Sequence, residues 1–149
     1  MKRSNGFFVL FFSLLVISFF PGSTAASVEE RRLVILFTHD LHSYFLPHQL
    51  EQPDGSFAMV GGFARLATAI DEQRNLHGDK VLLVDAGDYS MGTLFHSVFM
   101  TEAYELRLMA AMGYDVITLG NHEYDFEPWG LAQSLARASD VLADPPALV

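Results

Sequence analysis

Apolar runs of strand length alternate with helical periodicities along most of this chain, and the runs stop on polar clusters. The runs are "LVILFT" (residues 33–38), "KVLLVDA" (80–86), "DVITLG" (115–120) and a closing "PALV" (146–149). Uninterrupted apolar runs suit strands buried on both faces, the condition found in parallel sheets. Between the first two, Phe63, Leu66, Ala67 and Ile70 form an i, i+3, i+4, i+7 stripe. Ala103, Leu106, Met109 and Ala110 form a second, with Thr101 a candidate N-cap and Gly113 a candidate C′ residue. "PWGLAQSLARAS" (128–139) reads as a third helix. The order β-α-β-α-β-α-β predicts an α/β fold with a parallel sheet and right-handed crossovers. Residues 43–59, with Pro47, Pro53 and Asp54-Gly55 as breakers, are expected to form a loop. No internal repeat or low-complexity tract interrupts this order.

The first residues follow a different logic. Lys2 and Arg3 precede an apolar stretch from Phe7 to Phe20, followed by Pro21-Gly22 and "STAAS". A charged start, an apolar middle and a small-residue end predict an export signal over residues 1–26, cleaved after Ala25 or Ala26. The stretch is short for a membrane span of about 20 residues, although an uncleaved anchor is the alternative. On this reading residues 27–149 are the mature part, with no membrane span once the signal is cleaved. The expected location is periplasmic, cell-surface or extracellular.

The net charge is −9, and loss of Lys2 and Arg3 makes the remainder more acidic. That argues against nucleic-acid binding through a basic face. The 149-residue chain has no cysteine, which excludes disulfides and thiolate metal sites. A transition-metal site here must draw on His, Asp, Glu or Asn.

Such residues gather where the runs end. The first run leads into Thr38-His39-Asp40-Leu41-His42, the second into Asp85-Ala86-Gly87-Asp88, the third into Gly120-Asn121-His122-Glu123. In a parallel sheet these carboxyl ends share one edge, where open α/β sheets bind ligands. In an extended segment residues i and i+2 point the same way, so Asp40 and His42 would meet one ion. Asp88 follows a glycine that permits a tight turn and can bridge two ions. Oxygen and nitrogen donors without sulfur suit Zn, Mn, Fe, Co or Mg. Two such ions about 3.5–4 Å apart would clamp the attacking and leaving oxygens of a phosphoester.

The pattern D-x-H … G-D … G-N-H-[ED] resembles the calcineurin-like metallophosphoesterase superfamily. "ILFTHDLHS", "GGFARLATAI", "DAGDYSMGTLF" and "MGYDVITLGNHEYDF" are similar to the bacterial 5′-nucleotidase/UDP-sugar hydrolase family. The likeness runs from Arg32 to about Ala138. It implies an enzyme using two divalent metal ions on a nucleotide or related phosphoester. Asp40 and His42 would hold the first metal, Asp88 would bridge, and Asn121 would hold the second and lie near the substrate phosphate. His122 would contact the phosphoryl group and leaving oxygen, oriented by Asp125. Cyclic-nucleotide phosphodiesterase, UDP-sugar hydrolase and sulfur-compound hydrolase activities share the fold and stay open.

Family members also supply later histidine ligands and a separate nucleotide-recognition domain, which this sequence does not contain. The expectation is therefore a truncated, amino-terminal portion of the catalytic domain, inactive by itself; a non-catalytic fragment is the rival reading. Among the other polar residues, Asp85 is expected to hydrogen-bond backbone at its strand end, and Glu123 to be structural. His39 should point away from Asp40 if the segment is extended. His48 and His77 should be solvated. His96 either approaches substrate or has a helix-entry or surface role. Tyr124 and Phe126 are expected to pack, and Met109 and Met112 to fill the core.

Overall fold

The computed structural model describes residues 32–149; the expected export signal lies outside the described residues. In chain order the elements are β1 (Val34–Thr38), β2 (His48–Glu51), β3 (Phe57–Val60), α1 (Phe63–His77), β4 (Val81–Asp85), α2 (Phe99–Glu102), α3 (Tyr104–Ala111), β5 (Val116–Ile117), α4 (Glu127–Val141) and β6 (Ala147–Leu148). Strands β1, β4, β5 and β6 form a parallel sheet in that spatial order. This is the predicted α/β architecture. The register aligns Thr38 with Asp85 and Asp85 with Ile117, so the three polar segments leave the sheet on one edge.

The core is built by the predicted stripes. Phe63 and Ile70 of α1, Leu106 and Met109 of α3, Leu83 of β4 and Ile117 of β5 are buried, as are Ala103 and Met112. Gly113 takes φ 74° after the end of α3, the left-handed conformation expected of a C′ glycine. Arg74 of α1 donates to the carbonyls of Met112 and Gly113, each at 2.6 Å. A cation thus meets carbonyls left free at the helix end.

Three expectations need correcting. Residues 43–59 are not simply a loop: they contain the antiparallel hairpin β2–β3, with His48 opposite Val60 and Glu51 opposite Phe57. The breakers form its turn. Asp54 accepts the Ser56 N–H at 2.9 Å and its hydroxyl at 2.6 Å, and Gly55 has φ 79°. Pro-Asp-Gly between short β-forming segments is hairpin chemistry.

Strand β1 is not buried on both faces. Ile35 and Phe37 are 59% and 60% exposed, because β1 pairs with β4 alone and lies at the sheet edge among the described residues. An apolar run specifies strand and cannot specify coverage.

Thr101 does not cap a helix. It lies inside α2 and its hydroxyl donates to the Val98 carbonyl at 3.3 Å. The segment breaks at Ala103, which is fully buried with φ 48°, and α3 starts afresh. Alanine carries no signal for that conformation, so the break was invisible in the sequence.

Candidate metal centre

The segment after β1 is held to the segment after β4 by backbone hydrogen bonds. Ala86 N–H donates to Thr38 at 2.9 Å, Asp40 N–H to Gly87 at 3.0 Å, His42 N–H to Asp88 at 3.1 Å and Ser43 N–H to Tyr89 at 2.9 Å. Pairing therefore continues past the strands, but the backbone is not extended. Asp40, His42 and Ser43 have φ of 51°, 47° and 50°, and Asp88 has 55°. The i, i+2 argument for Asp40 and His42 is thus wrong in geometry, although the two do meet. They converge because left-handed residues coil the chain. Aspartate tolerates that region better than most residues, and such conformations concentrate at functional sites.

One donor atom each from Asp40, His42 and Asp88 lie within 4.8 Å of one another. His42 Nε2 is 3.4 Å from Asp40 Oδ1. The other ring nitrogen, Nδ1, is 3.2 Å from the Ser90 carbonyl. That carbonyl can only accept, so Nδ1 carries the proton and the Nε2 lone pair faces the two carboxylates. An outer carbonyl that fixes the imidazole tautomer is what a metal-binding histidine requires. The donor set and its orientation therefore fit a divalent cation.

His39 does not point away from Asp40, as an extended strand would have required. Its Nδ1 hydrogen-bonds the Asp40 carboxylate, and this contact holds the Asp40 carboxyl below the usual carboxylate range. The cause is again the left-handed turn at Asp40.

The third segment closes the site. His122 N–H donates to Asp88 Oδ1 at 2.9 Å. The His122 ring lies 5.2 Å from the His42 ring, edge to face. Its Nδ1 pairs with Asp125 Oδ2 at 3.0 Å, which raises its proton affinity above that of an ordinary imidazole. Asn121 is exposed beside it at the same sheet edge.

Neighbouring residues divide as the sequence suggested, except Tyr124, which was expected to pack and is instead 45% exposed because it sits on the outer side of the short turn after Asn121. Asp85 is buried, accepts from Thr38 Oγ1 at 2.5 Å and from Gly87 N–H at 2.9 Å, and has its carboxyl pushed up by burial. Glu123 is fully buried and accepts the N–H groups of Asp88, Ser90 and Gly120. His48 is exposed, packs near Tyr44 at 6.0 Å and helps line a cleft of about 490 Å³ that reaches Asp40 and Arg65. His77 ends α1, which leads to the opposite end of β4, far from the site edge. Tyr124 is exposed, whereas Phe126 packs against the core.

Sequence reasoning missed Ser43 and Glu105. Both are fully buried, and Ser43 Oγ donates to Glu105 Oε1 at 2.6 Å. This contact props the chain right after His42. An acid four residues before Met109, on the buried side of α3, was the available signal.

The segments that follow β4 and β5 come too close for a side chain at Gly87 or Gly120. A Cβ on Gly120 would overlap the Asp88 carboxylate. Gly120→Ala is therefore expected to cost about 1–3 kcal/mol, the usual range for overpacking. Urea unfolding checks this; a variant as stable as the parent would mean that the Asp88 side chain and backbone both move aside freely.

The family model for calcineurin-like phosphoesterase matches residues 33–146. The chain belongs to that family. Curated relatives of this phosphoesterase chain include bovine 5′-nucleotidase, 42% identical over 113 residues, covering 70% of this chain and 18% of the bovine protein. The snake venom 5′-nucleotidase of Gloydius brevicauda is 36% identical over 121 residues, covering 79% of this chain and 20% of that enzyme. Among solved structures, the NAD nucleotidase of Haemophilus influenzae superposes with a TM-score of 0.62 at 31% identity, covering 70% of this chain and 19% of its own. The chain thus spans about a fifth of the length of the relatives it matches. The fold and the hydrolase family expected from the motifs are both borne out.

Proposed function

We propose that this chain forms part of the catalytic domain of an exported, two-metal phosphoesterase of 5′-nucleotidase type, acting on nucleotide phosphate esters. The observation that carries the reading is His42, whose Nδ1 is occupied by the Ser90 carbonyl while its Nε2 faces Asp40 within the Asp40–His42–Asp88 triad. The roles assigned are Asp40 and His42 for one cation, Asp88 for both, and Asn121 for the second. When bound, the ions would polarise the phosphoryl oxygens and acidify a water molecule. Asn121 would hydrogen-bond the phosphate. His122, kept protonated and aimed by Asp125, would hold its proton toward the leaving oxygen. Nucleotide as substrate draws support from the nucleotidases among the relatives. Export draws support from the sequence of residues 1–26, and among the described residues no helix is long and apolar enough to cross a membrane.

The test is calorimetric titration with Mn²⁺. Asp88→Asn is expected to weaken binding by more than about tenfold, since even an outer-shell partner is worth 10–100-fold. Asp85→Asn is expected to bind like the parent. Equal losses would overturn the assignment of Asp88.

A further inference from the structure

His96 is the histidine of this region that the proposed chemistry leaves unused. It sits in the 3₁₀ turn Leu94–Val98, with a side chain only 14% exposed. Its ring stacks on Phe126 at 4.7 Å and lies 5.5 Å from the ring of Phe99. Both nitrogens have defined surroundings. Nδ1 accepts the Met91 N–H at 3.1 Å. Nε2 is buried without a hydrogen-bond partner and is 3.9 Å from Asp125 Oδ2, the oxygen that also takes His122 Nδ1 at 3.0 Å.

Because Nδ1 accepts, a neutral His96 ring must carry its proton on Nε2. Burial lowers the proton affinity of this imidazole, which favours that neutral form. The buried N–H therefore lies 3.9 Å from a carboxylate oxygen, just beyond hydrogen-bond length. Leaving a buried donor unmade is costly, and a small rotation of Asp125 removes that cost. A carboxylate oxygen has capacity for two donors. Asp125 is otherwise 37% exposed and free to choose among solvated rotamers.

We propose that His96 is a positioning residue: its Nε2–H clamps Asp125 from the buried side, so that Asp125 presents a fixed oxygen to His122. The clamp joins two parts of the site that are far apart in sequence. Its outer end rests on Asp125, next to Phe126, where α4 begins. Its inner end holds Met91, adjacent to Gly92, whose backbone is packed on the His42 carbonyl. The competing explanation, that His96 only fills space between Phe99 and Phe126, accounts for the stacking but not for a partnerless buried nitrogen beside Asp125.

The proposal rests on His122 and Asp125 acting as the proton-donating pair, and its test separates the two ideas. The probe is nitrogen NMR of the histidine-labelled chain, at a pH where all imidazoles are neutral. His96 is expected as the Nε2–H tautomer, with an Nε2 signal that shifts in Asp125→Asn. His122 is expected as the Nδ1–H tautomer, held there by Asp125. His96→Phe keeps the stack and removes the donor, and should move His122 toward the Nε2–H form. His96→Gln returns an N–H to the Nε2 position and should restore the parent tautomer. A His96 proton on Nδ1, an Nε2 signal indifferent to Asp125→Asn, or identical His122 spectra in the Phe and Gln variants would each overturn the clamp. If the clamp holds and His122→Asn leaves turnover intact, it is the pair that fails.

Discussion

Glu123→Leu is expected to unfold the domain or bring it close to unfolding. The carboxylate is fully buried and accepts three backbone donors, from Asp88 at 3.0 Å, Ser90 at 2.9 Å and Gly120 at 2.7 Å. Leucine has similar bulk and no acceptor, so all three N–H groups would be stranded away from water. Hydrogen bonds to a charged group are worth about 1.5–3 kcal/mol each, and an unmade buried donor costs about 1–3 kcal/mol. A total loss of roughly 5–9 kcal/mol approaches the whole stability of many small domains, about 5–15 kcal/mol. Glu123→Gln, which keeps a single carbonyl oxygen, should fall between. Urea denaturation reads both. A Glu123→Leu midpoint close to the parent's would mean that water enters and replaces the carboxylate.

His122→Asn is expected to lower turnover by about 10²–10⁴, the usual worth of a positioned proton donor. The measurement is phosphoester hydrolysis by the purified protein, with metal content determined alongside. Cation binding should persist, because Asp40, His42 and Asp88 do not use the His122 ring; the contact to Asp88 comes from the His122 backbone. Asp125→Asn added to His122→Asn should cost little more if the two residues act as one unit. Loss of metal in His122→Asn would make the imidazole a ligand instead and require new roles for both.

The sequence disclosed elements well and conformations of single residues poorly. The stripe Phe63, Leu66, Ala67, Ile70 became α1 because side-chain periodicity is set by helix geometry and survives any tertiary context. The strand ends met at one edge because parallel pairing leaves no other arrangement. Asp40 and His42 were found for a reason that does not hold, since φ near 50° at both replaces the extended segment assumed. Residues other than glycine adopt that region under the demand of their surroundings, and no neighbour in sequence announces it. The same blindness hid the break at Ala103. Exposure of Ile35 and Phe37 was likewise illegible, because a residue's character fixes its preference for burial and not the presence of a covering layer. Ser43 and Glu105 were missed because a contact across 62 positions leaves no local trace.

The hydrogen bonds that run on from Thr38 to Ser43 against residues 86–89 mean that this stretch is not a loop in the mechanical sense. It cannot flap or swing while the sheet stays intact, because peeling it away breaks the ladder from its open end inward. A cation entering between Asp40, His42 and Asp88 would therefore meet a socket whose dimensions are set beforehand. Ions that tolerate only small departures from their preferred bond lengths are sorted by such a socket, whereas a pliant one would close around each of them in turn.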